Sequence, residues 1–236
     1  MNPTKSSLIC FQYGEPTCKL KVNGNKEKKT LKFLGVTFDS NYTFQTHFNV
    51  VKRTINWKVS KLKPICKYLT LKTREETVSA LCYGSLMYCY QIWGRLPNIR
   101  TQAQKTQDHI NKCILMRSGG TSRTQMLRDL SMLKMDNWYK YLTVTDLYKY
   151  LRNESIPYTL RKLDWRARIY YTRKQTLNLN FRPKVLHGSL NFLSQAVSTW
   201  NKLDITGLGT QKTYEDLKTR VKGILLDTFD NFYLPP

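Results

Sequence analysis

The stretch Leu31-Lys32-Phe33-Leu34-Gly35-Val36-Thr37-Phe38-Asp39, followed by Asn41-Tyr42-Thr43-Phe44 and His47, decides how this chain reads. Its apolar residues at 31, 33, 34, 36 and 38, with Phe33, Val36 and Phe38 as strand formers, predict a single β-strand. Gly35 within such a run marks a bulge or a close approach by another backbone. Beyond Ser40 the pattern changes to that of a basic helix. The stretch is therefore a hinge between a small sheet and a helical body.

Upstream, Cys18, Leu20 and Val22 alternate and lead into Asn23-Gly24-Asn25. Asn-Gly is the strongest short hairpin signal. It predicts a hairpin pairing residues 18–23 with 30–38, with Lys26, Lys28, Lys29 and Lys32 crowding the approach to the key strand. Leu8-Ile9-Cys10-Phe11 reads as a further apolar strand. Only Asn2-Pro3-Thr4-Lys5-Ser6-Ser7 precedes it after Met1. That abrupt opening carries the expectation of a truncated domain whose remainder lies upstream. One face of the sheet formed by residues 7–38 is then uncovered, with Val22, Phe33 and Phe38 unusually exposed.

Downstream, Phe44, Phe48, Val51, Ile55, Val59 and Leu62 recur at helical period and predict a helix over 43–69. Pro64 is expected to end or kink it near Lys63. With about 100° per residue, Asn49, Lys52, Arg53, Asn56 and Ser60 fall on a separate arc. From Ser40 to Arg74 the charged residues are Lys52, Arg53, Lys58, Lys61, Lys63, Lys67, Lys72 and Arg74, with no Asp or Glu among them. A solvated helix face usually mixes signs, whereas a face of one sign suits a phosphate backbone. Asn49, Lys52, Arg53, Asn56 and Lys63 are the nucleic-acid-binding candidates, a solvated face being the alternative for any one lysine.

Thr73-Arg74-Glu75-Glu76 has the form of a capping box opening the next helix. The segment Leu81 to Trp93 is apolar almost all round and is expected to be the most buried helix of the body. A third helix spans Gln102 to Arg117, with Ile99, Ala103, Thr106, Ile110, Cys113 and Ile114 inward. Gly119-Gly120 ends it. Arg123 to Leu133 and a longer segment from Asp136 to about Arg152 follow. Tyr139, Tyr141, Tyr148 and Tyr150 beside Lys140 and Lys149 fit either a nucleic-acid grip or helix packing. Residues 153–185 are basic and aperiodic, a linker that either orders on nucleic acid or simply carries charge. Residues 186–236 regain a helical pattern, with Trp200 in one segment and Thr213 capping another.

The whole chain of 236 residues carries a net charge of +23 and a pI near 9.9. Such a charge concerns partners rather than fold and favours nucleic acid. No run of 18 or more apolar residues reads as a membrane span, and Met1 to Lys5 lacks the apolar core of a signal peptide. An intracellular protein, nuclear or cytoplasmic, is expected. Cys10, Cys18, Cys66, Cys82, Cys89 and Cys113 show neither C-x-x-C pairing nor a histidine at finger spacing. Free buried thiols are expected, and no metal site.

Several of these segments together resemble the reverse transcriptases of LINE-type (non-LTR) retrotransposons. The strand Φ-x-Φ-L-G-Φ-x-Φ-D, a short turn, and a helix opened by Phe44 and His47 resemble that family's palm–thumb join. Asn2, Lys5 and Ser6 match its N-x-x-K-[ST] turn, and Tyr88 to Gly94 its Y-x-x-x-x-W-G segment. Gln107 and Ile110 echo the following helix, with Asn111 or Lys112 in place of the usual Arg. Trp200-Asn201-Lys202-Leu203 matches a later W-N-x-L-P element, except that Asp204 replaces the Pro.

The resemblance implies an α+β chain, with a small antiparallel β-sheet at the N-terminus and then a mainly α-helical, thumb-like body. Residues 1–40 would be the end of the palm with its primer-grip hairpin, and 41–152 the helical thumb. Residues 153–185 would be the basic linker and 186–236 a C-terminal helical tail. It assigns Phe33, Leu34 and Gly35 to nucleic-acid contact and gives Lys5 the role of a general acid. The family's polymerases use two metal ions held by paired carboxylates. No Asp-Asp pair occurs here, and Asp39 and Asp146 do not substitute. Magnesium is therefore implied for a full-length parent only, with no cofactor in this chain. The expected function is that of a C-terminal fragment of an RNA-directed DNA polymerase. It would bind template–primer duplex, beside the missing N-terminal palm and fingers, without catalysis of its own. The alternatives are a non-catalytic nucleic-acid-binding protein repurposed from such an element and a basic helical scaffold for protein partners.

Overall fold

Leu34 and Gly35 both adopt positive φ, 45° and 83°. Two successive left-handed residues make the two-residue turn of a tight hairpin. The key stretch is thus not one strand but two, folded back at Leu34-Gly35. Strand β3 (Thr30–Phe33) pairs antiparallel with β4 (Val36–Asp39), in a register that sets Phe33 opposite Val36 and Thr30 opposite Asp39. The glycine signals a turn rather than a bulge. The computed structural model describes residues 7–11, 21–22, 25–117, 120–152, 192–203 and 213–227.

The Asn23-Gly24 signal also resolves differently. Strand β1 (Lys21–Val22) pairs with β2 (Asn25–Lys26), so the partner of the first strand lies at 25–26 and not at residues 30–38. The N-terminal region is two separate two-stranded antiparallel sheets, not a single sheet. Leu8 adds an isolated parallel bridge to Glu27. Short hairpins of this kind are marginal alone and depend on packing. Here Phe11, Phe38, Tyr42 and Phe44 form a cluster of rings 4.9 to 6.4 Å apart beneath β4. Phe33 remains 59% exposed, whereas Phe38 is half-buried in that cluster.

The fold is α+β, strands first and helices after. It divides into two compact units, Met1–Arg117 and Ser118–Pro236. In the first, α1 (Gln45–Cys66) buries His47, Phe48, Val51, Ile55, Val59 and Cys66 along one stripe. It continues through Pro64 to Cys66 rather than stopping at Lys63. Helix α2 (Leu71–Val78) starts earlier than the Thr73 pattern suggests. Thr70 is its cap, accepting from the Thr73 amide at 3.3 Å.

A π turn (Ser79–Tyr83), α3 (Gly84–Met87) and α4 (Tyr90–Trp93) continue from α2. Tyr88 is extended and Cys89 left-handed, so the chain kinks between α3 and α4. Val78, Cys82, Leu86, Tyr90 and Trp93 are buried, but Leu81, Tyr88 and Ile92 are exposed. The segment therefore has one buried face; it is not sequestered on all sides. Helix α5 (Pro97–Leu115) begins with the favoured N-terminal proline. All six inward residues expected of it are buried.

The second unit contains α6 (Arg123–Asp129), α7 (Met135–Arg152), α8 (Phe192–Lys202) and α9 (Tyr214–Asp227). Helix α6 stops short of Leu133, and Ser131 follows it with φ of 47°. Leu133, Val144, Leu147, Tyr148, Val197, Trp200, Leu217, Val221 and Leu225 form its core. Tyr148 stacks on Trp200, and Asn137 donates to the Leu225 carbonyl at 2.8 Å. With Tyr139 and Tyr148 buried, these two tyrosines pack helices and do not present rings to a ligand. The thiols of Cys66, Cys82 and Cys113 are buried and unbridged. The 153–185 linker lies outside the described residues, as does Cys18.

Candidate nucleic-acid interface

Four ties hold the β3–β4 hairpin on the helical body. At its base the Asp39 carboxylate accepts from the Thr43 amide at 2.8 Å, the Thr43 hydroxyl at 3.1 Å and the Phe44 amide at 2.6 Å. Asp39 thus caps the turn into α1, where Phe44 is left-handed. Along β4 the Thr37 amide donates to Nδ1 of His47 at 3.3 Å. At the tip the Tyr88 hydroxyl donates to the Leu34 carbonyl at 2.7 Å, and its ring lies against Gly35. The guanidinium of Arg95 covers the Tyr42 ring at 4.0 Å.

The ties made by His47 and Tyr88 meet at Trp93. Its indole N–H donates to the Tyr88 carbonyl at 2.8 Å, and its ring packs edge-on against His47 and Tyr90. Because His47 accepts through Nδ1, it is a neutral imidazole protonated at Nε2. Burial, and secondarily Lys32, lower its pKa and favour that form. Tyr88 and Trp93 therefore act structurally and lock the hairpin to the helices, while Gly94 packs tightly against Tyr90.

The residues expected to touch nucleic acid at the hairpin tip are exposed. Phe33 and Leu34 are 59% and 75% exposed, and Gly35 is exposed beside them. Asn49, Lys52, Arg53, Asn56 and Lys63 are all exposed on α1. At about 100° per residue they share one strip, turned away from the buried stripe. No acidic side chain pairs with Lys52, Arg53 or Lys63 among the described residues. Lys58 is different: its ammonium donates to the Leu81 carbonyl and the Ser85 hydroxyl, both at 2.7 Å. Lys5 lies outside the described residues.

Two residues that sequence reasoning passed over, Lys105 and His109, join this surface, with Thr106, expected inward, between them. Lys105, Thr106 and His109 of α5 line an open groove of about 260 Å³ together with Lys52 and Asn56 of α1. The signal was present, since Gln102, Lys105, His109 and Lys112 share a helical strip, but only the packing of α5 on α1 reveals its partner. Gln45 and Gln102 exchange amide hydrogen bonds of 3.1 and 3.0 Å between the same two helices. Asn111, in place of an expected Arg, is buried and accepts from the Tyr83 hydroxyl at 2.7 Å.

A second exposed arc of α1 mixes apolar residues with Thr54 and Lys61. Val50, Trp57 and Ile65 are each more than half exposed, with Tyr68 just beyond the helix. No helix among the described residues is long and apolar enough to cross a membrane. No cluster of three or more His, Cys, Asp or Glu positioned for a metal occurs among them either. Comparison with family models, with curated proteins and with solved structures finds no match to this chain.

Proposed function

We propose that the first unit grips a template–primer duplex, as the C-terminal part of a LINE-type reverse transcriptase working inside the cell, in the nucleus or cytoplasm. The basic strip of α1 contacts backbone phosphates, and Phe33, Leu34 and Gly35 touch the primer end. The palm and fingers of the parent, with their magnesium-binding carboxylates, complete the polymerase. The observation that carries this reading is the exposed strip of Lys52, Arg53 and Lys63, without a counter-charge among the described residues, beside a hairpin fixed to the same helix. Such a surface binds through counterion release and reads no sequence.

The test is the affinity of the full chain for a labelled RNA–DNA hybrid across a salt series. Three phosphate contacts give a log–log slope of about −2.7, or roughly a 40-fold loss of affinity from 50 to 200 mM salt. A flat salt response removes the reading. On a primed RNA template with magnesium, the chain alone is expected to add no nucleotide. Extension above background would demand metal ligands that its sequence does not show. A second reading, a scaffold for protein partners, draws on the exposed apolar residues Val50, Trp57 and Ile65. A partner bound there would be held almost independently of salt.

A further inference from the structure

The α1–α5 groove brings basic and hydrogen-bonding side chains from two helices to one opening. Lys52 and Asn56 stand one turn apart on α1, and Lys105 and His109 one turn apart on α5. Neither ammonium has a carboxylate partner among the described residues. The nearby acid on α5, Asp108, accepts from the Gln104 amide at 2.9 Å. Lys63 of α1 and Lys112 of α5 add their field at His109. Lys52 and Lys105 are exposed and line the groove from opposite helices, so an oxyanion seated there meets positive charge from both.

We propose that this groove seats a single phosphate group, with Lys52 and Lys105 supplying charge and Asn56 and His109 supplying hydrogen-bond donors. On the nucleic-acid reading above, on which this part rests, its source is one backbone phosphate of the bound duplex. Inorganic phosphate presents the same chemistry. The groove enlarges the interface from one helix to two and makes it sensitive to protons. Partial burial first, then Lys63 and Lys112, lower the pKa of His109. At neutral pH its imidazole is uncharged and offers one N–H. A seated phosphate favours the imidazolium, so binding tightens as pH falls through that lowered range.

The experiment uses the full chain, with inorganic phosphate and a labelled RNA–DNA hybrid as probes. Histidine side-chain NMR follows His109 during a phosphate titration. Its signal should move and its pKa rise, and both responses should weaken at least threefold in Lys105→Gln. Hybrid binding is measured at pH 7.5 and pH 5.5 in the parent and in His109→Gln. The parent's salt slope should steepen by up to about 0.9 at the lower pH, one additional phosphate contact, while the variant's should not. An unmoved His109 signal, or a His109→Gln chain with the parent's full pH response, overturns the seat even when the hybrid binds well. A chain whose His109 responds to phosphate but which binds no hybrid retains the seat and loses the duplex reading.

Discussion

Two glycines in the same helical segment should respond to alanine with opposite signs. At Gly94 an added Cβ would sit 2.5 and 2.7 Å from two carbons of the Tyr90 ring and 2.6 Å from the Tyr90 carbonyl oxygen. The ring cannot retreat, because Tyr90 is fully buried and packed edge-on against Trp93 at 4.8 Å. Overpacking of this kind costs about 1–3 kcal/mol, against a gain of roughly 0.4–1 kcal/mol from the stiffer unfolded chain. Gly94→Ala should therefore be destabilising by about 1–2 kcal/mol. At Gly84 the backbone is helical, the site is exposed, and a Cβ meets nothing within 4 Å. Gly84→Ala should then be stabilising by about 0.5–1 kcal/mol. Urea unfolding followed by tryptophan fluorescence measures both shifts. Equal signs for the two variants, or an unchanged midpoint for Gly94→Ala, would refute the packing of α4 described above.

Other outcomes follow from the same contacts. Tyr88→Phe removes the tie to Leu34 but little stability, since Tyr88 is half exposed; amide exchange at Gly35 and Val36 should accelerate while α1 stays protected, and unchanged exchange contradicts the tie. Cys10 and Cys89 should alkylate in the native protein well before the buried Cys66, Cys82 and Cys113, as mass mapping of the labelled peptides would show. Burial, and then Cys66 at 3.9 Å, push the Cys113 thiol up to about 12 from 9.0. A raised folded pKa contributes stability that is whole below pH 9 and lost as pH climbs toward 12. The fall in urea midpoint between pH 8 and 10.5 should shrink in Cys113→Ala, and an undiminished fall would discount this thiol.

The sequence announces the architecture better than the pairings. Periodicity in Phe44, Phe48, Val51, Ile55 and Val59 identifies α1 and its buried face, because a 3.6-residue repeat follows directly from burying one side of a helix. The strand run misleads at Leu34. An apolar, γ-branched residue gives no hint of a left-handed turn, and the hydroxyl of Tyr88, 54 residues away, helps to hold it there. Pro64 misleads in the other direction, since a proline close to a helix end disrupts few bonds. Of the candidate surface, the α1 strip is legible as a run of one charge sign within one arc. Lys105 and His109 are not, because their meaning depends on which helix α5 packs against. The tie made by Lys58 is likewise tertiary: in sequence it is one more lysine, while in the structure it serves the π turn.

The central claim, that the exposed basic strip of α1 grips duplex nucleic acid, is tested most directly by Lys52→Glu combined with Arg53→Glu. Both side chains are exposed, so folding should be almost unaffected. The measurement is the salt dependence of binding to an RNA–DNA hybrid, for the parent and the double variant. Removing two cations that each neutralise a phosphate should flatten the slope by about 1.8, and affinity should drop for every duplex sequence alike. A double variant that binds the hybrid as tightly as the parent at low salt, with the same slope, would contradict the account and move attention to the basic residues between Arg161 and Lys184.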